Sequence, residues 1–306
     1  MSIHPLGTPP SNPRHPGKVL LFITILLAST FPLTLVPNAK EDKPGRDGQL
    51  SGKQGDVLWI EVPVHEHPSQ LTGSFLGREV RFFPLSQKSY GALLGIDMSD
   101  KPGSHEFAIA IQSPAQTKKL SYTVLVTKVD FPEQHLTLPK DQVDLDHETL
   151  VRVKAEQQQL TTAFEFVGPH PLWEGAFLEP TPGTISGRFG SRRIINGQPR
   201  NPHSGEDIAA PGGTRVGAMN TGMVRLVIDH FFTGKGVILD HGVGLYSMYF
   251  HLSETSVNEG QLVKKGQTIG KVGSTGRATG PHLHWGVRLN GSRINPYSLT
   301  NLPIPN

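Results

Sequence analysis

Between Val57 and Val129 apolar and polar positions alternate in short runs: VLWIEVPV, REVRFFPL, HEFAIAIQ and LSYTVLVTKV. A period of two marks strands with one buried face. Pro102-Gly103 and Ser113-Pro114 supply turns between the runs. Several short strands at this spacing predict a small, immunoglobulin-like β-sandwich over residues 55–130. The period then lengthens. HETLVRVKAEQQQLTTAFEFV, opened by Asp146, is rich in Leu, Ala, Glu and Gln with apolar residues near helical spacing. It predicts a helix within a connector at 131–167, its glutamines forming a solvated face. From Gly168 to Asn306 strand-like pieces return (GMVRLVI, GVILDHG, LYSMYFHL, TIGKVG, HLHWGVRL), separated by Gly-rich turns. That texture predicts an antiparallel all-β domain over 168–306. The expected fold class is mainly β: a sandwich module, a helical connector and a C-terminal antiparallel sheet domain.

The first 40 residues break this pattern. Arg14, His15 and Lys18 precede the apolar run VLLFITILLASTFPLTLV, Val19 to Val36. Such a run serves as a signal peptide or stays as a single anchor associated with the inner membrane. Pro32 interrupts it, and the best cleavage candidate, after Ala39, carries Pro37 at its −3 position, so both readings stay open. Either one implies export to the periplasm or cell envelope. A charged linker at 41–54 follows.

Composition narrows the chemistry. Twenty-nine basic and 26 acidic residues give a net charge of +3 over 306 residues, too weak a field to imply a nucleic-acid partner. The 34 glycines and 26 prolines favour short strands and tight turns over a helical bundle. There is no cysteine, so thiol catalysis, disulfides and Cys-held zinc are excluded. Any metal must be held by His, Asp or Glu.

Three motifs carry residues of that kind. NPHSGEDIAAPGGTRV holds His203, Gly205 and Asp207 as H-x-G-x-D, where Gly205 would let the backbone bend so that both side chains reach one ion. YFHLSE places His251 at the end of an apolar strand. GPHLHWGV places His282 and His284 two residues apart, so a strand points both to one face and Leu283 and Trp285 to the other. Those two histidines are two ligands, a ligand and a base, or polar residues on an ordinary strand. Each motif alone is common in surface loops and strands. Their order within one β-rich stretch points to a single metal-centred site, which needs three protein ligands and an open position for catalysis.

HSGEDIAAPGGTRV, YFHLS and VKKGQTIGKVGSTGRATGPHLHW together resemble the lysostaphin-type zinc metallopeptidases, which cut peptide bonds in bacterial peptidoglycan. The resemblance covers the last third to two-fifths of the chain. It implies one Zn²⁺ held by His203, Asp207 and His284, with His282 and His251 as catalytic residues beside it. It implies an exported zinc metalloendopeptidase that acts on peptidoglycan peptides, in cross-links or stems, through a zinc-activated water. One neutral histidine would take the water's proton and pass it to the leaving amine, and a second would donate to the developing oxyanion. Some members are held latent by an upstream segment, so the β-module and helix are expected to restrain the peptidase. The alternative is a non-catalytic wall-binding or hydrolase-activating relative, which would be expected to lose ligands; this chain keeps all five residues.

Many relatives carry Glu two residues after the second histidine of H-x-H; this chain has Gly286, so a carboxylate behind the site is expected to be missing. Glu206 reads as a solvated loop acid. Arg188, Arg192, Arg193 and Arg200 are surface charges or grips for a substrate carboxylate. Ser274, Thr275 and Thr279 read as loop and groove residues, His230 and His241 as structural, and Trp285 as core.

Overall fold

In the N-terminal half, alternation is converted into a sheet whose strands are β1 (Gln49–Lys53), β2 (Val57–Pro63), β3 (Gln70–Phe75), β4 (Arg78–Ser86), β5 (Ser89–Gly95), β6 (Gly103–Gln112) and β7 (Thr117–Thr127). The structure, a computed structural model, describes residues 49–65, 67–114 and 116–304. The apolar run of residues 19–36 lies outside the described residues, among which no helix is long and apolar enough to cross a membrane. The strand order is β1-β7-β6-β3-β4-β5-β2. The long β4 changes partners midway: Arg78–Arg81 pair with β3, and Phe82 onward pairs with β5. The sheet thereby forms two layers over a core that includes Ile60, Val62, Phe75, Leu94, Phe107 and Val124. Residues 49–53, expected within the linker, form β1 instead and pair in parallel with β7. The run QLSGK has too few apolar positions to show its period, and its strand conformation is set by the neighbouring edge.

The connector holds β8 (Glu133–Leu136), a 3-10 turn (Lys140–Gln142) and α1 (His147–Glu165). Asp146 caps α1 by accepting from the Thr149 backbone N–H at 2.8 Å. Gln157 and Gln158 are exposed. Leu160 and Phe164 pack on Ile228, Ile238, Tyr246, Met248 and Phe250, which fixes the helix against one face of the C-terminal sheet.

That part contains β9 (Thr184–Gly187), β10 (Arg192–Ile195), β11 (Gln198–Pro199), β12 (Gly205–Ala209), β13 (Arg215–Gly217), β14 (Gly222–His230), β15 (Gly234–Asp240), β16 (Leu245–Thr255), β17 (Leu262–Val263), β18 (Thr268–Val272), β19 (His282–Leu289), β20 (Ser292–Ile294) and α2 (Pro296–Thr300). Ten strands form an antiparallel sheet with the path β17-β14-β15-β16-β19-β12-β9, while β8, β10 and β11 form a small sheet of their own. β8 runs parallel to β10, so the connector contributes a strand beside the first metal motif.

The two β regions share a core. Val57, Phe83 and Leu93 belong to the same buried cluster as Trp173, Ile208, Leu283 and Trp285. The Phe83 and Trp173 rings meet edge to face at 5.6 Å. Asp97 adds an ion pair to Arg293 at 2.6 Å and accepts the Arg293 backbone N–H at 2.7 Å.

Candidate metal centre

The first motif lies on β12, an inner strand flanked by β9 and β19, and the H-x-H pair opens β19. Antiparallel register sets Asp207 opposite His284. His203 precedes β12, its backbone N–H bonded to Ser191 O at 2.9 Å. These placements bring His203 Nε2, Asp207 Oδ1 and His284 Nδ1 into a triangle in which each pair is 2.9 Å apart. All three residues are buried.

The protons available do not explain this triangle. His203 donates its Nδ1–H to Arg188 O at 3.0 Å, so its Nε2 faces the triangle as a lone pair. Asp207 contributes another lone pair. At most one proton, on His284 Nδ1, is shared between the two acceptors, His203 Nε2 and Asp207 Oδ1. A cation satisfies all three at once, and two imidazoles with one carboxylate are a donor set suited to Zn²⁺. His203, Asp207 and His284 therefore fit a metal.

Close approach explains the glycines better than bending does. A Cβ on Gly205 would stand 2.8 Å from His284 Nε2 and 2.5 Å from Trp285 O, so the absence of a side chain makes room for the His284 ring. A Cβ on Gly187 would lie 2.4 Å from Asp207 Oδ2. At Gly286 it would meet the Met248 methyl at 2.7 Å, so thioether fills the position where a carboxylate was sought. His284 is instead held by stacking on Phe250, with ring centroids 5.7 Å apart and planes 5° from parallel.

His282 and His251 complete the cluster. The His282 Nδ1–H donates to Gly280 O at 2.8 Å, and its Nε2 lies 3.9 Å from Asp207 Oδ1. The His251 Nδ1–H donates to Thr275 O at 2.8 Å. The two rings are 4.7 Å apart. In their neutral forms both present a bare Nε2. His251 is not at a strand end, because β16 runs on to Thr255. It sits at φ +63 in a bulge, where the pairing with β15 slips between Lys235 and Val237. The left-handed conformation re-aims the ring toward His282. Thr275, rather than lining a groove through its hydroxyl, holds this arrangement: its Oγ1 donates to Leu252 O at 2.7 Å while its carbonyl takes His251.

Electrostatics follow from burial. It pushes His251 down to about 3, with the charges of His284 and His282 adding to the effect. Burial likewise pushes His203 down to about 4, against the hydrogen bond that its charged form gives to Asp207. Burial would raise Asp207, but His203 and His284, whose protonated forms donate to it and carry charge, hold it far below the usual carboxylate range.

Two further residues differ from their sequence reading. Glu206 is buried, not solvated: it lies on β12 pointing away from Asp207, and burial pushes it up to about 7 against the Phe189 backbone bond and the Arg188 charge. β12 is covered on both faces, which a polar motif does not disclose. Arg193 is not a free grip for substrate. Its Nη2 donates to Asp207 Oδ2 at 3.1 Å and its Nε to Gln134 Oε1 at 3.2 Å. Arg200 donates to Gln198 Oε1 at 2.7 Å, Arg192 lies 3.5 Å from Glu133, and Arg188 is exposed. His230 and His241 are buried in hydrogen bonds to Gln159 and to Thr221 and Ser247. Trp285 is core.

Known proteins share this arrangement of sequence. The description of Peptidase family M23 matches residues 201–296, a span that includes all five converging residues. The peptidoglycan DD-endopeptidase ShyA of Vibrio cholerae is 40% identical over 121 residues, 39% of this chain and 28% of the relative. The DD-carboxypeptidase/endopeptidase Mpg of Neisseria meningitidis is 42% identical over 134 residues, 43% of this chain and 31% of the relative. The chain thus spans less than a third of the length of these curated relatives. A solved structure from Pseudomonas aeruginosa described as a peptidase M23 extends the likeness upstream: it is 32% identical, with a TM-score of 0.61, and the match covers 81% of this chain and 94% of that one. A likeness that takes in nearly all of the Pseudomonas chain, together with a family match enclosing the whole histidine–aspartate cluster, establishes that this chain belongs to peptidase family M23.

Proposed function

We propose that this chain is an exported zinc metalloendopeptidase that hydrolyses peptide bonds of bacterial peptidoglycan. The observation that carries the reading is the triangle of His203, Asp207 and His284 beside two histidines with bare Nε2 atoms. His203, Asp207 and His284 would hold the ion. Bound Zn²⁺ would supply Lewis acidity, making water a nucleophile at neutral pH and polarising the scissile carbonyl. His282 Nε2 takes the proton from the attacking water and passes it to the leaving amine. Buried His251 resists protonation and offers a second acceptor that orients the water beside His282. No serine or cysteine nucleophile enters the reaction.

The names of the relatives support D,D-bonds in cross-linked peptides as substrates. Export is supported by the basic-then-apolar N-terminus, whose fate as signal or anchor belongs to the same proposal. The test is digestion of chemically defined, purified peptidoglycan by the zinc-loaded full chain, with product masses measured. Products of D,D-cleavage that vanish on chelation and return with zinc are expected. Intact cross-links at full zinc occupancy would favour a wall-binding or activating role.

A further inference from the structure

Away from the histidines, a cavity of about 200 Å³ lies where three segments meet: β4, the C-terminal end of α1 and the β19–β20 hairpin. Its walls include Glu79, Arg81, Phe164, Tyr246, Arg288 and Asn290. Arg288 is on the same face of β19 as His284, four residues further on, and so about 13 Å along the strand. The cavity is separate from the candidate metal centre.

The polar groups lining it are unbalanced. Arg288 lies over the Phe164 ring at 4.9 Å and, among the described residues, makes no hydrogen bond or ion pair. Burial lowers its pKa, and the like charge of Arg293 adds to that effect. Arg81 pairs with Glu79 at 2.6 Å through Nη2, but its Nε is buried without a partner. The Tyr246 hydroxyl donates to the Phe166 carbonyl and is unavailable to the cavity. Two guanidinium groups thus face a space whose one carboxylate, Glu79, is already engaged. Both arginines are only half-buried, Arg81 with 38% of its side chain exposed, so the cavity is open to an anion from solvent.

We propose that this cavity is an oxyanion site in which a carboxylate or phosphate group sits between Arg288 and Arg81. A planar guanidinium fork suits both groups, and one added negative charge balances the two arginines and Glu79. Room for several waters is also room for a small anion. Because Arg81 belongs to the sandwich, Phe164 to α1 and Arg288 to the peptidase sheet, the anion ties three parts of the chain together. It acts on stability rather than chemistry, and the proposal stands apart from the peptidase reading.

Thermal unfolding of the zinc-loaded full chain tests it, with sodium acetate and sodium phosphate titrated at ionic strength matched by sodium chloride. A saturable rise in midpoint is expected for the wild type, as for any ligand that binds the folded state. Arg288→Gln should weaken the half-saturating concentration by roughly tenfold or more while zinc content is unchanged. Acetate acting at the lower concentration identifies a peptide-type carboxylate; phosphate acting first identifies a phosphate group. Identical titrations in wild type and Arg288→Gln, or a rise that never saturates, overturn the site. If Arg288→Gln does not fold, Arg288→Lys keeps the charge and loses the fork: weaker saturation supports the site, and an unchanged titration overturns it.

Discussion

Arg193 donates to Oδ2 of Asp207 at 3.1 Å, while the other oxygen of that carboxylate lies 2.9 Å from both His203 and His284. The two oxygens are thereby assigned different partners, and the plane of the carboxylate is fixed before any ion arrives. Arg193 is itself oriented by Gln134 on β8, a strand from outside the matched family region. Residues that orient metal ligands typically carry 10–100-fold in affinity. Arg193→Ala should therefore weaken zinc binding by about that factor, read by competition with a chromogenic chelator. Arg193→Gln, which keeps a donor without the charge, should recover part of the loss. Unchanged affinity in Arg193→Ala would make the contact incidental.

The Asp97–Arg293 pair joins the sandwich to β20. Burial alone would raise Asp97, but side-chain and backbone hydrogen bonds from Arg293 hold it far below the usual carboxylate value. A depressed carboxylate contributes stability that is present above its unfolded pKa near 4 and fades as pH falls toward the folded value. Asp97→Ala should cost about 2–4 kcal/mol at pH 7 and lose less than the wild type on acidification below pH 4. Urea unfolding at the two pH values gives both numbers.

The shared core also decides how latency is tested. Residues 168–306 in isolation would expose surface that Val57, Phe83 and Leu93 cover, so the full chain is the proper subject. The upstream segment reaches the site region through contacts that include Gln134 on Arg193 and the Gln142 carbonyl, which accepts from Arg277 at 3.3 Å. A protease site replacing Lys140–Gln142 allows nicking in place. If the segment restrains the enzyme, nicking should raise peptidoglycan cleavage at constant zinc content. Equal rates before and after would remove the latency idea.

Much of the site was legible because strand geometry is periodic. His282 and His284 share a face for the same reason that Leu283 and Trp285 are buried together. What the sequence withheld depends on neighbours distant in the chain. The bulge at His251 arises from how β16 registers against Gly236, and its left-handed φ has no local signature in YFHLSE. Glu206 reads as solvated because nothing in the motif discloses that β12 is an inner strand with both faces covered. Arg193 reaches Asp207 from β10, a strand of a different sheet, so four neighbouring arginines look alike in sequence. The sandwich strands were visible, but their order was not, since period two sets a face and not a partner.

His241 makes stability depend on pH away from the histidine–aspartate cluster. It is fully buried between Thr221 O at 2.8 Å and Ser247 Oγ at 2.7 Å, and burial pushes it down to about 4. Folded His241 stays neutral while unfolded histidine protonates near pH 6.5. Its contribution is thus complete above pH 6.5 and is lost as pH falls toward about 4. Between pH 7 and 5 this residue alone should cost about 2 kcal/mol. His241→Gln should be less stable at pH 7 yet show a shallower fall, measured by denaturant midpoints across the range. An identical slope in the variant would assign the acid sensitivity to other groups.

The adjacent histidines of H-x-H face one way and are predicted to do different work. His284 Nδ1 stands within the triangle, 2.9 Å from both His203 and Asp207, whereas His282 Nε2 is 3.9 Å from Asp207 and lies against His251. A ligand set of three is complete without His282, which leaves its bare nitrogen for the proton. Removing His284 should empty the site, while removing His282 should leave it filled but slow. His284→Ala is expected to lose zinc and activity together. His282→Ala should keep near-stoichiometric zinc and lose roughly 10²-fold or more in kcat. Elemental analysis beside the hydrolysis rate separates the two roles. A metal-free His282→Ala with zinc retained in His284→Ala would reverse the assignment, and full activity in both would sink the metallopeptidase reading.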